Sequence, residues 1–358
     1  MSDFINRACS IVTFTIYKIV QSKKNNDMYF ENPNKHYIED YNLPKLETTE
    51  SILCLLLYTQ DQIYEFIKKK EAQYVSFQIP KKNSLKKRFI NAPKHRLKMV
   101  QRIILSEILE KIPCSDYATA FLKGKNGLYE NAKVHKNQLF LLKMDFKNFF
   151  QSIKTKKVEN IFYNIGYSDE TIKVLTTLCT FHDELPQGAV TSPYLSNLAC
   201  LSLDKDLANY CNERNIYYTR YADDLNFSAN DLDLLKELKK NINEILEKHK
   251  TEYFQIEINN KKTKIIKNTS HKKITGITIN DSQIKASKKI KNKIRQSLRY
   301  CLKNNIFDNS LIGNLAYVIS IEKDDYKNKI YKYALYLETK LNITNSKLLP
   351  TILKMTRT

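Results

Sequence analysis

The segment Ile216-Tyr217-Tyr218-Thr219-Arg220-Tyr221-Ala222-Asp223-Asp224-Leu225-Asn226-Phe227-Ser228 constrains this chain more than any other. β-Branched and aromatic residues on both sides read as two strands, and the Asp223-Asp224 pair falls where a hairpin turns. Two adjacent carboxylates in apolar surroundings repel each other and resist burial unless a cation neutralises them. A divalent ion suits, because hard oxygen ligands favour Mg²⁺. The tetrapeptide Tyr221-Ala222-Asp223-Asp224 alone fits an ordinary Asp-rich hairpin tip equally well, since short motifs recur by chance.

The remainder of the chain decides between these readings. Its 358 residues can bury a full core and suffice for two or three subdomains. Fifty-nine Lys and Arg against 38 Asp and Glu leave a formal charge of +21, which suits a polyanionic partner, with nucleic acid foremost. AT-rich coding inflates Lys, Asn and Ile and accounts for part of that charge, but not for its clustering. Trp is absent while Tyr reaches 23, so flat surfaces for base stacking are plentiful beside those used in packing. Seven cysteines without metal-ligand spacing read as buried free thiols in a reducing, cytoplasmic compartment. The uncharged run Ala8 to Tyr17 is too short to span a bilayer and reads as a core-facing helix, so no membrane partner is expected.

Hydropathy patterning organises the chain. Residues 20–45 are polar and Asn/Lys-rich, as in a loop or arm. A helix is expected from Thr48, with Ile52, Leu55, Leu56 and Ile63 on one face. Strands are expected at 74–79 and 88–90, flanking a basic turn, and an amphipathic helix over 97–112. Residues 139–145 read as a buried strand ending in Asp145, and a long helical stretch follows Pro193. After the acidic hairpin come a helix bearing Leu235, Leu238, Ile242 and Ile245, then strands at 253–258 and 272–279. This order predicts an α+β fold with helices packed on one face of an antiparallel sheet. From Lys285 the chain turns helical and basic. Ile290, Ile294, Leu298 and Leu302 form an apolar stripe, while Lys288, Lys291, Lys293, Arg295 and Arg299 make either a solvated face or a phosphate track.

Asp145 supplies a third strand-end carboxylate. With Asp223 and Asp224 it provides enough oxygen ligands for two Mg²⁺ ions beside a nucleoside triphosphate. Several further blocks then make a resemblance specific. They are Arg88 to Gln101, Met144-Asp145-Phe146-Lys147-Asn148-Phe149-Phe150, Leu185-Pro186-Gln187-Gly188-Ala189, Arg220 to Ser228, Asn259-Asn260-Lys261-Lys262-Thr263 and Ile274-Thr275-Gly276. In this order they resemble the reverse transcriptases. Asn131-Ala132-Lys133-Val134-His135 and Ile274-Thr275-Gly276 are similar to blocks of the retron members. Val190 and Ile274 depart from that pattern, where relatives carry proline and valine.

The resemblance implies a right-hand polymerase: an N-terminal helix and arm over 1–45, fingers over 46–140, a palm over 141–282 and a basic helical thumb over 283–358. Asp145, Asp223 and Asp224 would be the catalytic metal ligands for two Mg²⁺ ions, with deoxynucleoside triphosphates as substrates. Arg88 would meet the triphosphate, Phe150 would exclude the ribose 2′-hydroxyl, and Gln187 and Gly188 would line the nucleotide pocket. Lys262 would stand near the pyrophosphate as a proton donor, and Lys291, Arg295 and Arg299 would track RNA. For Asn131 and His135, packing and RNA contact both remain open. The implied partners are a structured noncoding RNA that is both primer and template, its RNA–DNA product, and a separate effector protein in antiphage defence. A group II intron-type reverse transcriptase and an RNA–DNA-binding scaffold that restrains the effector are the competing readings.

Overall fold

The computed structural model describes residues 37–80, 87–267, 272–279, 283–306, 308–343 and 348–354. The expected helix over Ala8 to Tyr17, the arm before Tyr37 and most of the basic turn lie outside them. The chain divides into two compact units, each assembled from separated stretches.

The first unit comprises residues 1–123, 146–209 and 241–259. Within it β1 (Tyr74–Pro80) and β2 (Lys87–Pro93) form an antiparallel hairpin in which Phe77 faces Ile90 and Ile79 faces Arg88. Helix His95–Glu107 follows and buries Leu97, Val100, Gln101 and Ile104. The expected helix over 97–112 therefore ends early and tightens into a 3-10 turn at Leu109–Lys111. Similarly, the helix expected from Thr48 is two helices, Thr49–Leu56 and Gln60–Lys68. Leu57 ends the first in the left-handed region, and a capping box at Thr59 and Gln62 starts the second. Helices Thr155–Ile165 and Asp169–Cys179 complete the core, the turn between them closed by Gly166 at φ 101°. Residues 253–258 alternate as expected, with Phe254, Ile256 and Ile258 buried, yet they form no strand. Isolated bridges from Phe254 to Ile153 and from Ile258 to Phe146 hold them instead. Burial on alternate residues needs an extended chain, not a continuous ladder.

The second unit comprises residues 124–145, 210–240 and 260–358. Its principal sheet is antiparallel, in the order β4-β5-β3-β6, from β3 (Phe140–Asp145), β4 (Tyr217–Tyr221), β5 (Asp224–Ala229) and β6 (Lys264–Ile266). A smaller sheet is built from β7 (Lys272–Ile274), β8 (Ile277–Ile279) and β9 (Ile284–Ala286). The single strand expected over 272–279 is thus a tight hairpin. Thr275 and Gly276, both at positive φ, form its two-residue turn. Helices Lys288–Asn304 and Asn309–Lys340 pack an apolar core with that sheet, using Ile294, Leu298 and Leu302 from the stripe seen in the sequence. Lys323, at φ 51° and ψ −139°, breaks the second helix.

The long stretch after Pro193 is two helices, Ser192–Ala199 and Leu201–Asn212. Helix Leu232–His249 buries Leu235, Leu238, Ile242 and Ile245 as expected. The thiols are only partly as expected: among the described residues none forms a disulfide, and Cys179, Cys200, Cys211 and Cys301 are buried, but Cys54 is exposed and Cys114 half-buried. Among the described residues no helix is long and apolar enough to cross a membrane.

Candidate active site

The hairpin β4–β5 turns through Ala222 and Asp223, with Tyr221 paired to Asp224 across it. Ala222 adopts φ 56°, a left-handed conformation that disfavours a side chain by roughly 1–2 kcal/mol. Arg220, fully buried, stabilises the turn by donating from Nη1 to the Ala222 carbonyl at 3.2 Å. Strain held in place by surrounding structure is a mark of functional turns. The central strand β3 runs antiparallel to β5 and sets Asp145 directly opposite Asp224. Like charges facing each other across a ladder destabilise it.

The electrostatics follow. Burial raises the Asp223 carboxyl to about 6, and the charges of Asp145 and Asp224 push the same way. Burial also raises Asp224, opposed by the cation of Lys143. Lys143, on the same face of β3 as Asp145, is itself lowered by burial. Lys262 Nζ lies 2.7 Å from both oxygens of Asp145. Two amines therefore offset part of three negative charges, and Asp223 carries the remainder. Among the described residues no three His, Cys, Asp or Glu side chains converge as a ready-made metal cage. The three carboxylates are neighbours by field, and their hard oxygen donors with excess negative charge fit Mg²⁺ by chemistry.

Beneath the hairpin lies a buried polar network. Asn131 and His135, 0% and 1% exposed, stand four residues apart at the end of helix Gly127–Val134. His135 Nε2 is 2.7 Å from Thr219 Oγ1 and Nδ1 is 2.7 Å from Ser228 Oγ. The Thr219 hydroxyl donates to Asn131 Oδ1 at 2.5 Å, so it accepts from His135 Nε2–H, and Nδ1 accepts from Ser228. Burial lowers the imidazole to about 3, which keeps it neutral. Both side chains are enclosed within this unit, with their hydrogen bonds directed to the hairpin strands.

In the first unit, Arg88 is exposed on β2, and the loop bearing Gln187 and Gly188 is fastened to the same strand. The Asn91 amide donates to the Gln187 carbonyl at 2.9 Å. Gly188 has φ +125°, and a Cβ there would stand 2.9 Å from Ile90 Cγ2 and 3.1 Å from the Asn91 carbonyl oxygen. Only glycine permits that approach. Buried Gln101 clamps the loop from behind, accepting from the Val190 amide at 3.1 Å and donating to the Leu178 carbonyl at 2.9 Å. Phe150 is half-buried and tilted against Phe149, ring centroids 5.6 Å apart.

Of the basic helix, Arg295 and Arg299 are exposed, but Lys291 is not a free cation. Its Nζ is 2.7 Å from Glu322 Oε2, and Glu322 also accepts from the Ala286 amide. The sequence assigns no role to Lys143 or to Gln101, the last residue of a matched block. The i, i+2 spacing of Lys143 and Asp145 on a strand could have revealed the first; Gln101 carries no comparable signal.

A family model described as reverse transcriptase (RNA-dependent DNA polymerase) matches residues 79–279. The retron Ec86 reverse transcriptase of Escherichia coli is 31% identical over 291 residues, covering 80% of this chain and 85% of its own. The chain belongs to the retron-type reverse transcriptases. The retron Ec83 reverse transcriptase of the same organism is 30% identical over 266 residues, 70% of this chain and 83% of that one. Among solved structures, a Candida albicans telomerase in complex with a fragment of telomeric RNA aligns at a TM-score of 0.44 and 13% identity, over 83% of this chain and 68% of that one. Retron-type reverse transcriptases are RNA-directed DNA polymerases, and both units contribute to the matched stretch.

Proposed function

We propose that this reverse transcriptase copies a cognate structured noncoding RNA that serves as both primer and template. Synthesis starts from a guanosine 2′-hydroxyl and yields branched single-stranded DNA. The family relationship supports this reading, and the observation that carries its chemistry is Asp145 facing Asp224 across β3–β5 with Asp223 at the strained turn. Asp145, Asp223 and Asp224 would hold two Mg²⁺ ions, which when bound supply charge neutralisation at the attacking hydroxyl and the leaving pyrophosphate. Lys262, already on Asp145, is suited to hold a proton near the leaving group. Arg88 offers a fixed cationic fork to the triphosphate, Gln187 and Gly188 present backbone to the nucleotide, and Phe150 crowds the 2′ position.

The fingers, palm and thumb follow the boundaries near residues 46, 141 and 283, with the exposed arginines of the last segment facing RNA. A separate effector protein in antiphage defence, held in check by the RNA–DNA product, completes the proposal. Replacing Asp223 and Asp224 together by Asn should abolish primer extension while leaving the circular dichroism spectrum and RNA affinity unchanged. Normal product accumulation in that variant refutes the assignment.

A further inference from the structure

The Asn131 and His135 network has a specific relation to the acidic hairpin. Asn131 lies in helix Gly127–Val134 and His135 is its C-cap, so the two stand at i, i+4 spacing and both reach the hairpin. They meet Thr219 on the strand entering the turn and Ser228 and Asn226 on the strand leaving it. Thr219 is paired with Asn226 in the ladder, and both lie two residues outside the Tyr221–Asp224 pair. On β5 the side chains of Asp224, Asn226 and Ser228 alternate onto one face, so the network occupies the face that bears Asp224. Ala132, next to Asn131 in sequence, is fully buried in the apolar core of this unit, which anchors the same helix.

We propose that Asn131 and His135 are positioning residues for DNA synthesis: a helix-borne clasp that holds both strands of the hairpin and thereby sets Asp223 and Asp224 against Asp145. This rests on the reading of those carboxylates as catalytic. A neutral imidazole suits the task because it carries one donor and one acceptor on separated edges, so it can join two hydroxyls without introducing charge. Every member of the network is buried, so removing a partner leaves an unsatisfied group in a low dielectric and the hairpin relaxes toward another arrangement. Misplacement of reacting groups by about 1 Å can cost about 10²-fold in rate.

The test uses the full chain, a generic RNA template with DNA primer, and temperatures well below melting. Thr219→Val and Ser228→Ala each remove one hydroxyl with little change of volume. Each is expected to lower kcat roughly tenfold, with little change in KM for the deoxynucleotide and none in RNA affinity. Both should also shrink the rise in melting temperature that Mg²⁺ produces, a readout independent of turnover. His135→Gln, which keeps a donor and an acceptor, should retain more activity than His135→Ala. The loss from Thr219→Val and His135→Ala together should be smaller than the sum of the two single losses, because they share a hydrogen bond within one network. If His135→Ala fails to fold, the two hydroxyl variants decide the matter.

Full kcat and an unchanged Mg²⁺ response in folded Thr219→Val and Ser228→Ala overturn the proposal. So does a loss confined to RNA affinity, which would make these residues RNA contacts. Asp223→Asn is measured in parallel: if it stays active the carboxylate reading fails, whereas an inactive Asp223→Asn beside fully active hydroxyl variants sinks only the clasp.

Discussion

Lys262 holds Asp145 by both carboxylate oxygens, each 2.7 Å from its Nζ, with the amine more than half exposed and the carboxylate nearly enclosed. The cation therefore arrives from the solvent side and lies on an oxygen pair that a metal ion would also claim. Lys262→Met is expected to lower the melting temperature in chelator, where Asp145 would face Asp224 with less compensation. It should also reduce the Mg²⁺ concentration giving half-maximal rate, because a competing cation is gone, while kcat falls with the loss of a proton donor. Titrating Mg²⁺ in steady-state extension assays checks this, and an unaltered metal requirement refutes the competition.

Asp223 makes stability depend on pH in an unusual direction. Its carboxyl is raised from the ordinary 3.8 to about 6, so between these values the folded protein holds a proton that the unfolded chain has released. The contribution is full below the lower value and is lost as pH rises through about 6. Asp223→Asn removes the carboxylate charge and should stabilise the metal-free protein by about 1–2 kcal/mol near neutral pH, water screening keeping the gain small. The difference should vanish near pH 4, roughly the ordinary carboxylate value. Denaturant melts in chelator at several pH values measure it, and equal stability at neutral pH counts against the buried charge.

Phe150→Ala tests the sugar gate. The ring is half-buried and braced by Phe149, so it is held in one place instead of sweeping a volume. Its loss should raise incorporation of ribonucleotides relative to deoxynucleotides by about tenfold or more in kcat/KM. Retained activity with unchanged discrimination would remove Phe150 from this role.

The basic helix divides into two kinds of cation. Arg295→Gln with Arg299→Gln should weaken RNA binding and reduce the logarithmic salt slope by about 0.7 to 0.9 for each phosphate no longer neutralised, with little effect on stability. Lys291→Gln should behave differently. It strands the buried Glu322 carboxylate, which also holds the Ala286 amide, and should cost about 3 kcal/mol of stability. Salt-dependent binding isotherms and denaturant melts on the same variants separate the two, and parallel salt slopes for Arg295 and Arg299 would leave only a solvated face.

Much of this was legible in the chain. A short apolar run placed Asp145 at the end of a buried strand, and β-branched and aromatic residues on both sides placed Asp223-Asp224 at a turn, because such residues favour strands whatever their partners. The apolar stripe Ile294, Leu298 and Leu302 announced a packed helix for a similar reason. Where burial alone was informative the reading overreached: residues 253–258 alternate without a ladder, and 272–279 hides a turn at Thr275-Gly276.

The sequence by itself determined an α+β class and the candidate carboxylates, since short-range patterning and residue chemistry need no partner to be read, while its ordered blocks carried the resemblance to reverse transcriptases. Only the tertiary structure decided what each charge meets. Lys291 and Arg295 are both cations of one helix, yet one closes on Glu322 and the other faces water. Asn131 and His135, able in sequence to serve as RNA contacts, sit inside because Thr219 and Ser228, more than 80 positions away, complete their hydrogen bonds. Long-range pairing sets the dielectric and the partners of a polar group, and those decide whether it binds, buttresses or is merely buried.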